Sequence, residues 1–109
     1  MDRQLTIIMY HYVRDLSCTR YPQIKGLQID DFRRQLDYVQ EHYTVIDANR
    51  LIQSVSEDVA LPPKATLLTF DDGYLDHFTH VFPLLDAKGL SGCFFPPARC
   101  ILDREGLDV

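Results

Sequence analysis

The sequence contains no CxxC pair, no long basic run, and no apolar stretch near the roughly 20 residues that a helix needs to cross a bilayer. Each absence removes a class of function. The three cysteines, Cys18, Cys93 and Cys100, cannot all pair with one another and lack zinc-knuckle spacing, so they read as buried free thiols. The formal net charge is -5, and acidic and basic residues are mixed along the chain with no long basic run, so nucleic acid is not expected as a partner. The apolar stretch near the start lacks the length and cleavage signal of a secretory leader, which makes a cytoplasmic location the default expectation. No internal repeat or low-complexity segment is present.

What is present suffices for one small domain with a real core: 109 residues, 46% of them hydrophobic and 11% aromatic. Residues 5–10 (LTIIMY) form a continuous apolar run rich in β-branched side chains, which predicts a strand buried on both faces. Residues 11–27 show no period and contain Pro22 and Gly26, which predicts a loop. Over residues 29–43 the apolar positions Phe32, Leu36, Val39 and Tyr43 recur at helical spacing, with Asp30 and Asp31 in the first turn, where negative charge complements the helix dipole. A short strand at 44–46 follows, then a helix capped by Asp47 and running to about residue 55, then the rigid connection 61–64 (LPPK).

Residues 65–70 (ATLLTF) predict a second buried strand, stopping abruptly at Asp71-Asp72-Gly73. A helix is expected from near Asp76 to Lys88, bent or restarted at Pro83 and ended by Gly89, and then a buried strand at 91–95 (SGCFF) closed by Pro96-Pro97. This alternation predicts an α/β fold with parallel strands and crossover helices, either open or closed into a barrel. In both arrangements reacting groups collect at the C-terminal ends of strands, which is where His11, Asp71 and Asp72 fall.

Two adjacent carboxylates after a buried strand repel each other, and a divalent cation would resolve the conflict. The cation would bind one carboxylate and acidify a water, and the other carboxylate would take the proton as general base. Gly73 would let the backbone turn and leave room for metal or substrate. Asp-Asp-Gly by itself fits a polar turn before a helix equally well. The spacing of Asp76 and His80 puts both on one helix face beside His77, but the reading preferred for these residues is a helix cap and two surface histidines.

The longer string Leu68-Thr69-Phe70-Asp71-Asp72-Gly73-Tyr74 resembles the first motif of the polysaccharide deacetylases (carbohydrate esterase family 4), whose core is Thr-Phe-Asp-Asp-Gly. Met9-Tyr10-His11, Phe32, Leu36, Pro83-Leu84-Leu85, Gly89 and Phe94-Phe95 are similar to the branch of that family acting on N-acetylglucosamine polymers. The resemblance implies a distorted (β/α) barrel and a metal-dependent hydrolase that removes acetyl groups, N-acetyl more often than O-acetyl, from an acetylated polysaccharide or oligosaccharide. By position, Asp71 matches the general base and Asp72 the carboxylate ligand of a divalent metal, usually zinc. His11 resembles a histidine lining the mouth of the site, although a strand-end histidine with local hydrogen bonds would read alike. Tyr74 is either pocket wall, and so substrate-binding, or packing.

The family pattern also requires two more ligands, a pair of histidines about one helical turn apart downstream, and no histidine follows His80. Residues 1–109 therefore read as the N-terminal portion of a polysaccharide deacetylase catalytic domain, with an incomplete site and no activity by itself. The alternative is a catalytically inactive carbohydrate-binding fragment. Pro96-Pro97 departs from the glycine-containing loop usual after the aromatic strand. A magnesium-dependent phosphoryl-transfer site is disfavoured, because it needs an Asp-x-Asp spacing. Half a barrel would expose a strand edge and an apolar helix face, so self-association is expected.

Overall fold

The computed structural model describes residues 4–17, 23 and 26–103, apart from the Cys100 side chain. Its centre is β5 (Ala65–Asp71), whose first six residues are all buried. β1 (Thr6–Tyr10) runs parallel along one edge of it, from Thr6 opposite Thr66 to Tyr10 opposite Phe70. The other edge is shared by two short strands in succession. β4 (Thr44–Val45) pairs with its first residues, and β6 (Cys93–Phe95) pairs with its last, setting Phe95 opposite Asp71. All three pairings are parallel, as the alternating elements require.

A strand with neighbours on both edges and both faces covered should carry apolar residues without alternation, and β5 does. Leu68 and Phe70 pack on one face with Tyr10 and with Phe32, Leu36 and Val39 of α1 (Ile29–His42). Val13, Val81 and Leu85 complete that cluster. On the opposite face Ala65 and Leu67 meet Ile46 and Leu61. α2 (Ala48–Glu57) begins as expected, with the Asp47 side chain accepting from the Arg50 N–H at 2.7 Å.

Several expectations are corrected. β1 is not buried on both faces: Ile7 is 57% and Met9 59% exposed, and only Tyr10 is buried. Among the described residues β1 has one neighbouring strand, and side chains alternate across the sheet, so the alternate residues Ile7 and Met9 stand on a face that no described element covers. β6 is likewise exposed, with Phe95 at 54%, because its only described partner is β5. Within the expected loop, β2 (Val13–Arg14) and β3 (Leu27–Gln28) form a parallel pair, held also by the Leu27 N–H donating to the Tyr12 carbonyl. Residues 18–22 and 24–25 of that loop, Cys18 among them, lie outside the described residues, as does the Cys100 side chain, and Cys93 is partly exposed.

The helix expected over 76–88 is two pieces. A π-helical turn (His77–Val81) leads directly into α3 (Phe82–Lys88): the Phe82 N–H donates back to the His77 carbonyl, and Pro83 follows in the first turn of α3, where the wider turn gives way to the α-helix. Gly89 ends α3 in the left-handed conformation at φ 67°. A short α4 (Ala98–Leu102), which no periodicity in the sequence announces, starts after Pro97. No helix among the described residues is long and apolar enough to cross a membrane.

Candidate functional site

β5 delivers Asp71 at its C-terminal end, and the chain then turns within two residues. Asp72 has φ 76° and Gly73 has φ 61°, so two successive residues occupy the left-handed region, which aspartate tolerates better than most side chains and glycine adopts freely. The Asp72 N–H continues the ladder by donating to the Phe95 carbonyl at 3.0 Å. This turn aims both carboxylates out of the strand end, the Asp71 side chain 31% and the Asp72 side chain 42% exposed.

Gly73 is needed for a second reason. A Cβ on Gly73 would lie 2.9 Å from the Pro96 Cβ, so the prolines that depart from the expected glycine loop press directly on the turn. Gly73→Ala should therefore destabilise the protein by more than the roughly 1–2 kcal/mol of a left-handed alanine. A denaturant midpoint unchanged from wild type would contradict this.

The structure brings all four expected site residues together. The end of β1 places the His11 Nε2 3.6 Å from Asp71 Oδ2 and 4.0 Å from Asp72 Oδ2. These separations are too long for hydrogen bonds, so the half-exposed imidazole shares the pocket mouth without being locked to either carboxylate. The Tyr74 hydroxyl donates to Asp72 Oδ2 at 3.1 Å, and its ring stacks on Tyr12 at 4.3 Å between centroids. Among the described residues no group of three His, Cys, Asp or Glu side chains is arranged to hold a metal ion.

Burial, followed by hydrogen bonding with Tyr12 and Asp72, raises the Tyr74 phenol above its ordinary pKa of 10.0. A pKa raised by folding contributes stability that is full below the unfolded value and declines as pH climbs past 10.0. Wild type should therefore lose stability above that pH more steeply than Tyr74→Phe, as read from denaturant midpoints across the alkaline range.

The second layer differs from expectation. Asp76 does not cap a helix. Its Oδ2 accepts from Arg14 Nε at 2.5 Å, and the Arg14 guanidinium lies 4.5 Å from the centre of the Tyr12 ring. His77 is not at the surface but 4% exposed, with Nε2 2.7 Å from the His11 carbonyl oxygen. A signal for that burial was available: His77, Val81 and Leu85 recur every four residues, and all three are buried. Nothing in the sequence pairs Arg14 with Asp76, which lie 62 residues apart.

No family model matches the chain. It is 25% identical over 105 residues to YxkH of Bacillus subtilis (strain 168), assigned by name to the polysaccharide deacetylases, covering 95% of this chain and 36% of that protein. It is 31% identical over 81 residues to the poly-beta-1,6-N-acetyl-D-glucosamine N-deacetylase of Escherichia coli (strain K12), covering 73% of this chain and 12% of that one. Its fold matches a solved de-N-acetylase from Aggregatibacter actinomycetemcomitans with a TM-score of 0.74 and 24% identity, over 84% of this chain and 37% of the other. The chain thus spans little more than a third of these proteins at most. The proteins it is similar to, in sequence and in fold, are thus polysaccharide deacetylases, and the similarity covers one part of them.

Proposed function

We propose that these residues supply one part of the active site of a metal-dependent hydrolase that removes acetyl groups, N-acetyl foremost, from a polysaccharide, and one part of the (β/α) barrel around it. The observation that carries the reading is the pair Asp71 and Asp72, exposed side by side at the end of a buried strand with His11 within 4.0 Å. Such a pair without counter-charge would be unfavourable, and the donor chemistry fits a divalent cation. Asp72 would hold it, with further ligands from outside the described residues. Zinc is the ion proposed, and when bound it would lower the pKa of a water toward neutrality.

The remaining roles belong to the chain itself. Asp71 takes the proton from the attacking water as general base. Tyr74 fixes the orientation of Asp72 through its hydroxyl, and its ring, stacked on Tyr12, offers an aromatic wall beside the site. His11 stands at the mouth, where it can hydrogen-bond the sugar or the acetamide. The test is release of acetate from N-acetylglucosamine oligomers by the full polypeptide that carries these residues, supplied with zinc. Oligosaccharide binding without metal and without release would instead support a carbohydrate-binding fragment.

The uncovered face of β1 bears on the state of the 109-residue chain alone. Ile7 and Met9, each more than half exposed on an edge strand, favour association of copies. Light scattering should show species larger than a monomer, whereas a monomeric peak with cooperative unfolding would contradict this.

A further inference from the structure

His77 is the one buried histidine of the described residues, and the proposed reaction does not use it. Its ring sits in an aromatic box, with centroids 5.6 Å from Phe70, 5.6 Å from Tyr74 and 6.0 Å from Phe94. A phenylalanine could fill such a box. The imidazole adds one contact, at 2.7 Å, to the His11 carbonyl oxygen. A carbonyl only accepts, so Nε2 carries the hydrogen, and Nδ1 is left buried with no partner. An unpaired buried nitrogen is unfavourable, and an apolar ring would avoid it, so the contact through Nε2 calls for a reason.

The place of that contact supplies one. The His11 carbonyl leaves β1 just after its last ladder residue, Tyr10, and before β2 begins, so no strand pairing holds this peptide. The next carbonyl, of Tyr12, is held by the Leu27 N–H. His77 opens the π-helical turn, a feature frequent at functional sites, and the adjacent Asp76 grips Arg14 on the far side of the same segment. Residues 11–14 are thereby fastened to the 72–77 turn at both ends, with the Tyr12–Tyr74 stack between.

We propose that His77 is a positioning residue: by donating from Nε2 to the His11 carbonyl it fixes the peptide that carries the His11 imidazole against Asp71 and Asp72. The role rests on the deacetylase reading for its consequence, but the linkage itself can be read without any reaction. In metal-free protein, long-range proton–nitrogen spectra should show His77 as a single species with hydrogen on Nε2. In His77→Phe the order parameter of the Tyr12 amide, whose N–H shares the peptide plane of the His11 carbonyl, should fall from about 0.85 toward 0.6, and in His77→Gln, which can still donate, it should stay high.

In the full polypeptide, His77→Phe should lower kcat/KM on N-acetylglucosamine oligomers by on the order of 10-fold to 100-fold, as a misplaced site residue does. His77→Gln should recover most of the rate, and His77→Phe should cost little more in a His11→Ala background. Hydrogen on Nδ1, an unchanged Tyr12 amide order parameter, or an equal loss of rate with and without His11 would overturn the assignment. Should His77→Phe not fold, the wild-type tautomer and the glutamine variant still decide it. Absence of acetate release by the wild type would count against the proposed function, and the spectra would still decide the role of His77.

Discussion

Replacing Asp71 by asparagine should lower acetate release by about 10²–10⁴-fold, the usual worth of a general base, while leaving the fold intact. The substitution keeps shape and removes only the capacity to take a proton. Asp71 stands at the last position of β5, its side chain partly exposed and 3.6 Å from His11, so the core beneath does not depend on its charge. Circular dichroism and the denaturant midpoint should therefore stay close to wild type. A rate within about threefold of wild type would remove Asp71 from the role of base.

The second large effect is on stability. Phe70 is fully buried, stacked on Tyr10 at 5.2 Å and on Phe94 at 4.9 Å, and edge-on to Phe32 at 6.0 Å. It joins β1, β6 and α1 in one cluster, so Phe70→Ala leaves a cavity that no single element can close. The expected cost is about 3–5 kcal/mol. That is a large share of the roughly 5–15 kcal/mol holding an ordinary domain together, and the variant should be largely unfolded or aggregated at room temperature. A loss under about 1 kcal/mol by chemical denaturation would show that the cluster is not the organising core. The same ring also lies directly before Asp71, so the core and the site share one strand.

Features set by neighbouring residues were legible in the sequence. α1 was evident because Phe32, Leu36 and Val39 recur at helical spacing, and these are its buried residues. β5 and its abrupt end at Asp71-Asp72-Gly73 were evident because a strand buried on both faces needs no alternation. Features that depend on distant partners were not legible. The apolar run of β1 reads as buried whichever faces are covered, and only the sheet order reveals that Ile7 and Met9 are not. The β2–β3 pair has two residues per strand, too few for any period to declare itself.

The candidate site divides along the same line. Asp71, Asp72, His11 and Tyr74 could be named because each lies within or beside a recognisable string, and the structure gathers them within hydrogen-bonding or ion-pair range. The layer beneath them, Arg14 with Asp76 and His77 with the His11 carbonyl, arises only when the 11–14 and 72–77 segments meet in space.

The measurement that bears most directly on the central claim is acetate release from N-acetylglucosamine oligomers by the full polypeptide, before chelation, after chelation, and after zinc is restored. Release that stops on chelation, returns with zinc and is lost in Asp72→Asn is the predicted result. Release that proceeds equally in chelator, or in Asp72→Asn, would contradict the division of this carboxylate pair into a base and a metal ligand.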